Sequence, residues 1–261
     1  MDINSDIIIV IQARMNSSRL PGKILMPFAN NFCTLDYLIY NLKKIKIPIY
    51  IATTNLEKDN IIEEKYNKEV KIYRGSEVNV LKRFIDIGYD SKAKYIIRVC
   101  SDNPFIVPEY IQLLINRIRK VHFDYLSFHF NNTHVMQSSA GLFTELVSYA
   151  ALQKTYDQAS DQEKEHVTFA IYTRFKKEFS IKLFDILKIN SLLKKLPELR
   201  LTLDTEHDFK ILNEIIKSQK LSVCITEKTI NTIINSNQLN KVVNKMKEEN
   251  KRKINSKEYK P

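Results

Sequence analysis

Strongly apolar runs alternate with helix-patterned segments through the first half of the chain, and this alternation limits the fold more than any other feature. The runs are "DIIIVIQ" (6–12), "PIYIATT" (48–54), "EVKIYR" (69–74) and "KYIIRVC" (94–100). Branched residues in an uninterrupted stretch such as "IIIV" read as a strand covered on both faces. Between the runs, 34–46, 57–67 and 77–91 carry helical spacing. Thr34 and Ser76 are the expected N-caps, and Val78, Leu81, Ile85 and Ile87 are expected on one helix face. The pattern predicts an α/β fold with a mostly parallel sheet.

The second half is less regular. A helix starting at Pro108 leads to a strand over 123–130, followed by a polar loop over 131–140. Helical segments are expected near 145–156 and 162–175, strands at 179–184 and 198–204, and helices over 205–218 and about 226–247. We read one domain over 1–225 with an inserted subregion at about 130–197, then a C-terminal helix and a basic, disordered tail over 226–261.

Composition excludes several classes. With 44% hydrophobic residues among 261, a sizeable core can form. No apolar run approaches the roughly 18 residues of a membrane span. "MDINSD" lacks a signal-peptide pattern, so a cytoplasmic protein without membrane insertion is expected. Cys33, Cys100 and Cys224 have neither metal-ligand nor disulfide spacing and are expected as free thiols. The net charge of +11 is partly a tail property, because 241–261 alone carries eight Lys/Arg and three Glu, a net of +5. No specific nucleic-acid partner is expected from charge of this kind, although a non-catalytic basic binding protein stays an alternative.

Three clusters follow strands. The first, "VIQARMNSSRLPGK", puts Gln12, Ala13, Arg14, Ser17, Arg19 and Lys23 directly after the first strand, with Pro21 and Gly22 punctuating the loop. Guanidinium forks, a mobile ammonium and loop amides suit a triphosphate; a solvated basic loop is the alternative. The second, "RVCSDNPFI", ends a strand with Arg98 and Asp102, the latter a candidate Mg²⁺ ligand or a turn residue. The third, "RLTLDTEHDF", presents Asp204 as a metal ligand or the N-cap of the next helix. His166 is either a base or a packed helix-end residue, and His129 and His134 lie beside the polar loop.

"IQARMNSSRLPGK" resembles the signature of cytidylyltransferases that activate sugar acids, including the CMP-Kdo and CMP-sialate synthetases, and is most similar to the SpsF-like branch linked to spore-coat polysaccharide. "IYIATT", "YRGSEVNVLKRF", "IIRVCSDNPFI", "GLFTELVSYAAL", "EKEHVTFAIY" and "LRLTLDTEHDF" continue the resemblance in order over about residues 7–215. The resemblance implies a Rossmann-like nucleotidyltransferase fold, CTP as co-substrate, Mg²⁺ as cofactor, a small sugar-like acceptor and a homodimer. It assigns Arg14, Arg19 and Lys23 to the triphosphate, Gln12 and Ala13 to the base side, and Asp102 and Asp204 to the metal. Arg74, Ser76 and Arg83 match a block implying nucleotide or substrate contact, and Arg98, Glu145 and His166 fall in the implied acceptor region. Arg14, Lys23 and Asp102 are the catalytic candidates. Phe143 and Lys164 depart from the branch's usual residues near that region. A glycosyltransferase of the related nucleotide-sugar fold is the remaining alternative, but the chain has no Asp-x-Asp pair.

Overall fold

The structure is a computed structural model describing residues 6–28 and 31–236. The expected extension of the last helix to 247 and the basic tail lie outside the described residues.

The first half is built of successive βα units. β1 (Ile7–Gln12) is followed by α1 (Thr34–Leu42), β2 (Ile49–Thr54), α2 (Asn60–Tyr66), β3 (Lys71–Gly75), α3 (Val80–Ser91), β4 (Tyr95–Cys100) and α4 (Pro108–Ile118). β1 pairs in parallel with both β2 and β4, and β3 pairs in parallel with β2. β1 shows why its sequence is so apolar. Ile7, Ile9 and Ile11 enter one core with α1 and α4, while Ile8 and Val10 enter a second core with α3. A strand covered on both faces has no solvent face for polar residues, and each buried Ile contributes about 1.5–3 kcal/mol.

The chain continues through β5 (Tyr125–Phe130), β6 (Thr133–His134), β7 (Glu145–Ser148), α5 (Tyr149–Gln158), α6 (Asp161–Glu165), α7 (Phe169–Tyr172), β8 (Ile181–Asp185), α8 (Ile186–Ile189), α9 (Glu206–Ser218) and α10 (Glu227–Ile234). The described strands form one eight-stranded sheet in the order β3-β2-β1-β4-β7-β5-β6, with β8 beside β5. β7 runs antiparallel to both β4 and β5, which makes the sheet mixed. Residues 130–197, read as an insert, thus contribute β6, β7 and β8 to that sheet. No helix among the described residues is long and apolar enough to cross a membrane.

Several expected elements differ. Residues 198–204 form no strand, although Leu199, Leu201 and Leu203 are all buried. Their alternation is real, but Leu201 and Thr202 donate to Ser139 O and Leu203 donates to Asp102 O instead of joining a ladder. The helix expected from 145 begins only after β7, where Ser148 caps α5 by accepting from Ala151 N. The helix expected over 162–175 is broken between α6 and α7, where Val167 has φ 57°. Cys33, not Thr34, caps α1, and Asn79, not Ser76, caps α3. Val78 precedes α3 and is 74% exposed, so it does not share the buried face of Leu81 and Ile87.

Candidate active site

The loop after β1 is held in place by a residue not singled out from the sequence. Asp59 is fully buried; its Oδ1 accepts from Met15 N at 2.7 Å, and its Oδ2 accepts from Thr54 N and Thr54 Oγ1. Ser17 N and Gly22 N both donate to Met15 O, folding the loop back on itself. Gly22, at φ 72°, then turns the chain into a short helical turn that starts at Lys23. That positive φ suits a residue without Cβ.

Lys23 is the centre of the site. Its ammonium donates to Asp102 Oδ2 at 3.0 Å, Asp204 Oδ1 at 3.1 Å and Leu203 O at 2.7 Å, and the side chain is 9% exposed. Arg19 adds an ion pair to Asp204 Oδ1 at 3.0 Å while staying largely exposed. Arg200 lies 3.5 Å from Asp204 Oδ2 and grips Asp208 through Nε and Nη2 at 2.8 and 3.0 Å. Asp208 in turn accepts from Asp204 N and Thr205 N, and Thr205 is the N-cap of α9. Asp204 is therefore not the cap, and its carboxylate is aimed at Lys23 and Arg19. The Asp208 carboxyl stays below the usual carboxylate range because hydrogen bonds and charge from Arg200 outweigh the opposing effect of burial.

Asp102 also opens onto a cleft of about 930 Å³. Arg98, His166, Glu163, Arg174, Phe143 and Tyr172 are among its walls. Arg98 donates to Glu145 Oε1 at 2.5 Å and to Gln12 Oε1 at 3.1 Å, which ties β1, β4 and β7 together. Glu145, fully buried, also accepts from Thr168 Oγ1 at 2.7 Å and from Tyr125 OH. Its oxygens are committed to protein partners, and Glu145 is not among the residues that line the cleft. Charge from Glu145 is one reason the Arg98 guanidinium is held above its ordinary range. Burial pushes the neighbouring Cys100 thiol up to about 11, so it is protonated at neutral pH.

The remaining candidates divide. His166 is the residue closing α6 and lies on the cleft wall. His134 is buried, with its ring stacked on Tyr172 at 4.1 Å and bonded to Tyr125 OH. Arg14 reaches across to Glu165 at 3.6 Å. Arg74 spends its donors on Thr54 O, Leu56 O and Glu63, bracing the β2–α2 connection. Ser76 is exposed and accepts from Asn79 N. Arg83 lies buried under the loop, donating to Ala52 O at 3.0 Å, with Nε and Nη2 lacking hydrogen-bond partners. Burial and the nearby Arg14 charge push it down to about 10. Of the departures noted above, Phe143 packs in the cleft floor against Tyr110, whereas Lys164 lies over the Tyr156 ring.

Asp102 and Asp204 are the residues that fit a divalent ion. They converge on one ammonium, and Mg²⁺ is commonly held by one or two carboxylates completed by phosphate oxygens and water. Among the described residues no group of three or more His, Cys, Asp or Glu could hold a metal alone.

The family model described as "Cytidylyltransferase" matches residues 8–249. The chain belongs to the cytidylyltransferase family. It is 31% identical over 242 residues to the spore coat polysaccharide biosynthesis protein SpsF of Bacillus subtilis, covering 89% of this chain and 95% of that protein. A cytidylyltransferase structure from Leptospira borgpetersenii superposes with a TM-score of 0.74 at 25% identity, over 88% of this chain and 98% of that one. The structure of a CMP:2-keto-3-deoxy-manno-octonic acid synthetase complexed with CTP superposes with a TM-score of 0.59 at 14% identity, over 83% and 100%. The last likeness concerns the fold. The sheet of this chain is mixed and mostly parallel, and the cluster described above gathers the loop after β1 and the turn after β4, at the carboxyl ends of those two strands, with the non-strand segment that ends in Asp204.

Proposed function

We propose that this cytidylyltransferase transfers CMP from CTP to a sugar or sugar-acid acceptor, with Mg²⁺ and release of pyrophosphate, in the synthesis of a surface polysaccharide or glycoconjugate. The observation that carries the reading is the buried Lys23 ammonium joining Asp102 and Asp204 beneath the Arg14–Arg19 loop, with Asp102 shared by the adjoining cleft. An acceptor oxygen in that cleft attacks the α-phosphorus. The new O–P bond forms as the bond to the β-phosphate breaks, pyrophosphate leaves with the electron pair, and the acceptor proton passes to solvent. Arg14, Arg19 and Lys23 bind the phosphates and oppose the charge that grows on the leaving group. A divalent ion held by Asp102 and Asp204 would supply further neutralisation of that charge. Gln12, fixed by Arg98, and the backbone at Ala13 form the base side of the site. The cleft walls from Phe143, His166 and Tyr172 orient the acceptor.

Pyrophosphate release from each nucleoside triphosphate, over a panel of sugar acids and sugars, is the direct test. Release with CTP and Mg²⁺ is expected, with Asp102→Asn slower by about 10²–10³. The melting temperature of that variant should stay within about 4 °C of the wild type. Full activity of Asp102→Asn would remove the metal assignment. Thermal stabilisation by CTP in the presence of Mg²⁺, above that given by ATP, GTP or UTP, checks the choice of base independently of the acceptor.

A further inference from the structure

A lysine ammonium has three N–H donors, and Lys23 has three acceptors for them: Asp102 Oδ2, Asp204 Oδ1 and Leu203 O. The group is saturated, largely buried, and sits between two carboxylates contributed by distant parts of the chain. This is the environment of a bound cation. The carboxylate oxygens it uses are also those that would ligate a divalent ion. Two cations sharing them at hydrogen-bond distance would repel each other, the more so because the Lys23 side chain and Asp204 are largely buried. Arg19 and Arg200 add positive charge around Asp204 and do not compensate a second cation there.

Resting on the nucleotidyltransferase reading above, we propose that Lys23 is the resident cation of the nucleotide-free site. It holds Asp102 and Asp204 together and keeps divalent ions out until a triphosphate draws its ammonium away. Lysine suits this exchange because its charge is carried on a flexible four-carbon stem, unlike the planar fork of arginine. A triphosphate brings more negative charge than the two carboxylates and arrives on the loop that carries Lys23. Binding is therefore ordered: metal enters with the nucleotide and not before it. The order is set by one side chain of the chain itself.

Mn²⁺ is the probe, followed by the loss of its free electron paramagnetic resonance signal, with the wild type, Lys23→Met and Lys23→Gln. Each is measured alone and with a non-cleavable α,β-methylene analogue of CTP. The wild type alone should bind Mn²⁺ at least about tenfold more weakly than Lys23→Met alone, because a competing group that occupies the site lowers apparent affinity by the fraction of open sites. Mn²⁺ should also raise the melting temperature of Lys23→Met and leave that of the nucleotide-free wild type unchanged. Lys23→Gln, which keeps a neutral donor to the carboxylates, serves the same comparisons if the methionine variant does not fold. Wild type and Lys23 variants binding Mn²⁺ equally well without nucleotide would overturn the inference. Asp102→Asn and Asp204→Asn separate the role of Lys23 from the metal-binding role of the two carboxylates. If they abolish analogue-dependent Mn²⁺ binding while the Lys23 variants behave like wild type, only the role of Lys23 falls. If they leave that binding intact, the metal assignment itself falls.

Discussion

At the scale of single residues, the site depends on buried charges held by specific hydrogen-bond partners, with Arg83 the exception. Asp59 is the clearest case, because it touches no part of the cleft yet fixes the start of the basic loop through Met15 N. Asp59→Ala should cost about 3 kcal/mol in chemical denaturation, since it strands donors that a charged acceptor had satisfied. It should also raise the KM for CTP more than it lowers kcat, because the loop loses its anchor and not its cations. A parallel rise in KM for the acceptor would show that the effect is not confined to the loop. Asp59 was not legible in the sequence. It stands in "NLEKDN", a polar stretch at the start of a helix-patterned segment with no sequence mark of burial, and only the tertiary fold turns its carboxylate inward. Lys23, Asp102 and Asp204 were legible because a basic loop after the first strand, an aspartate after the fourth, and an aspartate closing an alternating apolar run all pointed to one rim of the sheet, even though the last run is not a strand.

Among the elements, the segment 199–204 does the work expected of a strand without being one. Its leucines alternate into the core, and that burial pattern is what a half-covered strand would also show. The difference lies in its hydrogen bonds to Ser139 O and Asp102 O, which no periodicity reveals. The segment delivers Asp204, so its seating against Gly141 matters. Gly141 has φ +66°, and a Cβ there would sit 2.9 Å from Thr202 N and 3.0 Å from Leu201 C. Gly141→Ala should cost about 1–3 kcal/mol through strain and overpacking. It should lower turnover further than that loss of stability explains, because the push is along the path to Asp204. Differential unfolding and initial rates on the folded fraction separate the two effects. β7 was equally hard to read: four residues leave too short a pattern, and its antiparallel register with β4, which sets Glu145 opposite Arg98, depends on contacts distant in sequence.

The whole molecule carries these buried charges as a pH dependence. Burial pushes the His134 imidazole down from 6.5 to about 4, and Met136 N donates to its Nδ1, an arrangement only the neutral ring accepts. The unfolded chain takes up a proton at this ring as pH falls below 6.5, whereas the folded chain does so only near 4. The group's contribution is therefore complete above the unfolded pKa and is lost on acidification, at up to about 1.4 kcal/mol per pH unit. The depressed carboxyls of Asp36, Asp124 and Asp208 extend the loss in the same direction at lower pH. Urea midpoints from pH 7.5 to 5 should fall for the wild type and fall less for His134→Asn; equal slopes would assign the acid sensitivity to other groups. The order of the sheet has a consequence for how the chain is made. β1 to β4 are complete by Cys100, yet the free edge of β4 is covered only by β7, which begins at Glu145. On the ribosome, that hydrogen-bonding edge stays open while the intervening residues are synthesised, and any product that stops short of Glu145 keeps it. Such fragments present an unpaired apolar strand to one another and will collect as aggregates, even though their parallel half is fully specified.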